Sequence, residues 1–296
     1  MADQKPNVAA LIAQMPDTDQ QKLNPAKPDA ANIASKFTGP EPEAAEKVFT
    51  EIFSGGRESI LELLAAVRDP ADSEFKDYKA GYVLHGLCLF AGRQGKEEQR
   101  RLVAESIGSL LKGGSHSAAA KRIFIRELQV VGGNESAAAL GACLSDSDLC
   151  DSATQALLAI RDGAAEPLRK ALADAKGPCL IAITQALGVL KDKESLASLR
   201  KVLTHEDPDA RRTAAWALAN NADAESADAI LKFTDATSGW ERTHATGICH
   251  VLAEKLFAAG QKEVAVRIYT HLRDTRKEPD ERHVSEAAAR ALKPIQ

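Results

Sequence analysis

Apolar residues recur along most of this chain at the three- and four-residue steps of a helix. Ile60, Leu61, Leu63, Leu64 and Val67 line one stripe of a helix predicted over 57–68. Just before it, a helix predicted over 43–54 runs into Gly55-Gly56, a pair suited to ending it. Farther on the pattern repeats itself. Ala156-Leu157, Ala186-Leu187 and Ala217-Leu218 recur at spacings of 30 and 31, and one more such step leads to Ile248-Cys249. Leu172 and Leu203 keep the same register in the helices ahead of these. Asp162, Asp192 and Asp223 each stand before a helix at the same spacing and read as caps for its free backbone N–H groups. Asp207-Pro208-Asp209 marks the turn inside one unit, with Asp207 as cap and Pro208 in the first helical position. Each unit is therefore helix, turn, helix and link. One such unit cannot bury its apolar face alone, whereas a stack can, so a period near 30 predicts an α-solenoid.

The expected fold is all-α: a right-handed superhelix of about six to seven antiparallel helix pairs. Residues 1–40 fall outside the pattern, with Pro6, Pro16, Pro25, Pro28 and Pro40 among many polar residues. They are expected to form an extended or poorly ordered tail that packs near Phe37-Thr38-Gly39-Pro40. One solenoid domain is expected over 41–296, its repeats clearest over 133–260 and its cap over 261–296.

Composition agrees with helices packed through small residues. Alanine supplies roughly 18% of the chain and aromatic residues 4%. The net charge of −4 and the lack of a basic run argue against nucleic acid as partner. No apolar run reaches the length of a membrane span. The N-terminus does not read as a signal peptide, so the sequence as it stands reads as cytoplasmic, with an exported mature form as the alternative.

Chemistry is sparse. Cys88, Cys143, Cys150, Cys179 and Cys249 show no metal-binding or haem-attachment spacing. Cys249 falls in the column of Leu157, Leu187 and Leu218, and Cys143 in that of Ala171, Val202 and Phe233, both expected core columns. Cys150 and Cys179 come near each other on stacked neighbours, and the sequence leaves open whether they are bridged. His85 and Cys88 share a helix face, but no third ligand follows; core packing is expected there, and no metal site. No nucleophile elbow, phosphate loop or zinc-protease motif occurs, and no cofactor is expected.

The stretch Asp207 to Leu218, with residues 149–160, resembles the second helix of HEAT repeats, in the short form found in bacterial proteins and phycobilisome lyases. The likeness covers about residues 57–260, and the stretch 253–269 resembles a tetratricopeptide-type hairpin. The resemblance implies a fold rather than a reaction. One enzyme of that fold, deoxyhypusine hydroxylase, holds two irons on several His-Glu pairs; this chain has His205-Glu206 alone. HEAT-like DNA glycosylases use a basic groove with aromatic residues, of which Trp216 and Trp240 near Arg211, Arg212 and Arg242 are the nearest equivalent, against an acidic net charge. The function expected is a non-catalytic scaffold binding another protein along its concave face; a small-ligand-binding or lyase-like enzyme is the alternative. The binding face is expected on the second helices, at Gln155, Gln185, Arg211, Arg212, Trp216 and Arg242. Alternatively, those arginines are tied into caps or ion pairs with acids such as Asp207 and Asp209.

Overall fold

The computed structural model describes residues 5–15, 40–68, 78–114 and 116–293. The packing expected at Phe37 to Gly39, and most of the expected tail, lie outside the described residues. Among the described residues the regular elements are helices and no strand occurs. They fall into two compact units, one reaching Ala142 and the other starting at Cys143.

The first unit opens with helix α1 (Val8–Ala13), inside the stretch expected to be extended. The Asn7 side chain accepts a hydrogen bond from the Ala10 N–H at 3.0 Å and starts the helix. Val8 and Leu11 are spaced to share a face, and both are buried. The rest is α2 (Pro42–Ser54), α3 (Gly56–Ala66), α4 (Tyr78–Ala91), α5 (Glu97–Leu111), α6 (Ala118–Val131) and α7 (Asn134–Gly141). The helices pack in two rows. The first members α2, α4 and α6 touch one another in order, as do the second members α3, α5 and α7.

The second unit holds α8 (Cys150–Ile160), α9 (Ala165–Leu172), α10 (Gly177–Leu190), α11 (Leu196–Val202), α12 (Pro208–Asn220), α13 (Ala227–Ala236) and α14 (Gly239–Ala258), then α15 (Lys262–Thr275) and α16 (Arg282–Leu292). Here α8, α10, α12 and α14 form the row of second helices. The residues read as repeating core, Ala156-Leu157, Ala186-Leu187, Ala217-Leu218 and Ile248-Cys249, are all buried. Asp207 caps α12 as expected, accepting from the Asp209 N–H at 2.8 Å. The tightest approach joins α10 to α12. A Cβ built on Gly188 would stand 2.8 Å from the Cα and Cβ of Ala217 and from Cζ3 of Trp216.

The other expected caps are a correction. Helix α9 starts from Ala164 with no side-chain cap, so Asp162 does not serve it. Asp192 and Asp223 each precede a short 3₁₀ turn, Lys193–Ser195 and Ala224–Ser226, and neither side chain caps it. Both carboxylates face back onto an arginine of the preceding first helix. Arg169 on α9 donates to Asp192 Oδ1 at 2.5 Å, and Arg200 on α11 holds Asp223 with two hydrogen bonds of 2.7 and 2.6 Å. The planar guanidinium can meet both oxygens of one carboxylate, a stronger pairing than a single backbone N–H offers. Glu194 and Glu225 add a second acid to the same arginines at 3.1 and 2.6 Å. Ser195 and Ser226 close each turn onto the Asp carbonyl at 2.8 Å. One electrostatic bracket is thus used in two successive repeats, tying a first helix to the link that leads into the next pair.

The C-terminal end carries a related cluster. Arg242 on α14 donates to both carboxylate oxygens of Glu281, and buried Arg276 donates to Asp235 Oδ1 at 2.8 Å. His271 sits 2.9 Å from the other Asp235 oxygen. The hydrogen bond from Arg242 holds Glu281 below the usual carboxylate range. Desolvation pushes Asp235 up, but Arg276 and His271 outweigh it and leave that carboxyl lowered as well.

Gly188→Ala is expected to lower stability by about 1–3 kcal/mol in urea unfolding, because its methyl meets backbone atoms of α12. Gly247→Ala on α14, where nothing lies within 4 Å of the added Cβ, is expected to be neutral or to gain up to about 1 kcal/mol. The acid cluster gives a second expectation. Asp235 and Glu281 have lowered pKa values in the folded chain, so their contribution is fully present above the unfolded value of about 4 and is lost as pH falls through the folded values. Thermal melts from pH 6 to pH 2.5 should lose less below pH 4 in the Glu281→Gln variant than in the wild type; equal losses would remove the ion pair as cause.

Candidate functional site

On the second helices of the later unit, core positions alternate with a face that meets solvent. Gln155 on α8 and Gln185 on α10 occupy the same register in successive repeats, and both are exposed. They line one groove of about 320 Å³ between the two helices, floored by Leu158, Ile181, Ala182 and Ala186. Asp151, in the first turn of α8, stands at one end, where a carboxylate is favoured by the helix dipole. Among the described residues, none engages either Gln side chain. Each carboxamide therefore presents donors and an acceptor to whatever enters the groove.

Trp216 is the next position in this register. It is half-buried and covers Gly188, so its ring continues the wall of the row. Arg212 donates to Asp209 at 2.6 Å, and its guanidinium lies 5.0 Å from the centre of the Trp240 ring. Trp240 is 61% exposed, and its ring centre lies 4.2 Å from that of His244. Arg211 donates to the carbonyls of His205 and Glu206 at 2.8 and 2.7 Å, holding the turn before α12. Arg242 is committed to Glu281. Gln155 and Gln185 thus come together in one groove with Trp216 beside them. Arg212 sits against an exposed aromatic ring, while Arg211 and Arg242 are turned into the scaffold.

Cys150 and Cys179, whose pairing the sequence leaves open, are bonded to each other, with Cα atoms 5.7 Å apart. They open α8 and α10, beside the Asp151 and Pro178 end of the groove. Cys88 and Cys249 are buried free thiols, and Cys143 is buried as well. Burial pushes the Cys88 thiol well up, and the nearby Glu127 charge adds to this. A thiol so raised is a poor nucleophile at neutral pH.

Some features of the chain are not visible to sequence reasoning. Glu127 on α6 is 1% exposed and is met by His85 Nδ1 at 2.8 Å. His85 itself is exposed, not packed in the core as expected, and its ring meets this buried carboxylate from the solvent side. A signal for Glu127 exists: it lies three residues after Phe124 and four before Val131, on the buried stripe. The exposure of Trp240 has no such signal. A larger groove of about 620 Å³ lies in the first unit against α1 and α3, but two of its charged groups, Lys5 and Glu62, already pair with each other.

Among the described residues no helix is long and apolar enough to cross a membrane. No curated protein matches this sequence. Among solved structures, an engineered protein from a structural genomics consortium is 20% identical, with 86% of this chain and 74% of that one covered at a TM-score of 0.46. The complex of CpcE and CpcF of phycocyanin lyase from Nostoc sp. PCC7120 is 15% identical, with 81% and 94% covered at a TM-score of 0.39. Residues 165–248 match the family model of HEAT repeats. That span runs from the start of α9 into α14 and contains both arginine brackets. This all-α repeat chain thus carries a match to HEAT repeats over residues 165–248.

Proposed function

We propose that this chain is a non-catalytic scaffold that binds another protein along the exposed face of α8, α10, α12 and α14. The observation that carries the reading is the pair Gln155 and Gln185: two unengaged carboxamides in one register, over an apolar floor, on adjacent helices held by the repeat. A polypeptide offers the matching chemistry, since nearly every peptide unit has one donor and one acceptor. Trp216 and the Trp240–Arg212 stack extend the same face and are residue types that anchor interfaces. Arg211 and Arg242 act as supports rather than contacts, because their donors are used within the fold. A lyase-like reaction finds little support in the groove. The two cysteines beside it, Cys150 and Cys179, are bonded to each other.

The test is retrieval of a partner by the wild-type chain, followed by affinity measurement with variants. The double variant Gln155→Ala, Gln185→Ala is expected to bind at least about 10-fold more weakly with an unchanged melting temperature, since two exposed side chains are removed. Equal affinity in wild type and double variant would move the binding surface elsewhere. Trp216→Ala gives the complementary result: loss of binding together with stability marks a ring that shapes the row, whereas loss of stability alone marks a purely structural one.

A further inference from the structure

The bond between Cys150 and Cys179 joins two neighbouring second helices, α8 and α10. Within this unit α8 packs against α10, which in turn packs against α12. The bond joins the first residue of α8 to the third of α10. Gln155 lies five residues beyond one cysteine and Gln185 six beyond the other, so the link fixes the separation of both carboxamides through rigid helix.

We infer that the Cys150–Cys179 bond is a covalent clamp that presets the Gln155–Gln185 groove, and that the chain acquires it while folding in an oxidising compartment. The burial of the two cysteines carries the second half: Cys150 is 2% exposed and Cys179 8%. An oxidase must reach one thiol to form a mixed disulfide with it, so the bond forms before α8 settles onto α10. The Cys179 thiolate attacks the disulfide of a thiol–disulfide oxidase and releases one of its sulfurs as a thiolate. The Cys150 thiolate then attacks the Cys179 sulfur and releases the other. In sum, two thiols lose two protons and two electrons, and the oxidase disulfide becomes a dithiol. Once α8 docks, the bond is shielded from soluble thiols, as a structural disulfide is, and such bonds persist in oxidising compartments. Cys88, Cys143 and Cys249 lie outside this bond and are buried in the folded chain. The exported form weighed from the sequence is the one this bond supports. The clamp and its compartment stand without any partner; only the statement that the clamped groove binds one rests on the reading above.

Two measurements decide it. Cells of the source organism are quenched in acid, free thiols are alkylated, and the chain is digested without reduction. The expected result is one linked peptide pair carrying Cys150 and Cys179, with Cys88, Cys143 and Cys249 alkylated. Alkylation of Cys150 and Cys179 would overturn the compartment assignment. Amide hydrogen exchange is then compared between the oxidised chain and the Cys150→Ser, Cys179→Ser variant. Exchange across α8 should accelerate on the order of 100-fold, the scale set by a loop of this length, while α12 stays unchanged. Unchanged α8 would overturn the clamp. If the variant fails to fold, wild-type protein reduced with a phosphine gives the same comparison. Neither readout involves a partner, so their failure is distinct from failure of the binding proposal.

Discussion

The second unit depends on how closely its second helices approach one another. Ala153, Ala156, Ala186, Ala214 and Ala217 fill the contact columns, and Gly188 lets α10 come within van der Waals reach of the α12 backbone. Larger side chains would separate the helices, and each added methylene would have to be absorbed by the whole stack. Small residues make the distance, and the distance fixes the register. Register in turn decides which side chains face solvent together. Gln155 and Gln185 share a groove because the helices beneath them repeat in step; a shift of one or two positions would turn one of them toward the core.

The arginine brackets act on a different part of the repeat. Hydrophobic packing is nondirectional and leaves the angle between successive pairs loosely set. A guanidinium–carboxylate contact is directional, and here an arginine joins a first helix to the following link at the same place in two successive repeats, through one oxygen of Asp192 and both of Asp223. Asp223 is buried, so its charge is tolerable only because Arg200 meets both oxygens. The C-terminal cluster of Arg242, Glu281, Arg276 and Asp235 serves the same purpose where the repeat ends. Charge in this unit is thus used mostly for holding rather than display. That is why two of the three arginines expected on the binding face, Arg211 and Arg242, are turned inward.

What can be read from the sequence depends on whether a feature repeats. The columns through Leu157, Leu187, Leu218 and Cys249 are legible because burial of equivalent positions leaves a period. The acids of the brackets show the same period, yet they read as caps, since a local cap is visible in one segment and a partner in the preceding helix is not. Arg169 and Arg200 keep the same spacing as Asp192 and Asp223, and comparing the two columns exposes the pairing. Helix α1 leaves no trace of this kind, because its six residues are too few for a period and sit near prolines. Its stability comes from Val8 and Leu11 packing as α1 meets α3 and α4, which no local pattern encodes. The disulfide is legible as proximity but not as a bond, because oxidation depends on surroundings as well as geometry.

If the exposed face of α8, α10, α12 and α14 is the working surface of the chain, crosslinking from that face tests it most directly. A photoreactive amino acid is placed at Gln185 and, in a second variant, at Ser198, an exposed position on the first helix α11. Both variants are irradiated in cells of the source organism. A discrete adduct with one partner is expected from position 185 and none from position 198. Adducts from position 198 with none from position 185 would place the working surface on the other row of helices and contradict the assignment.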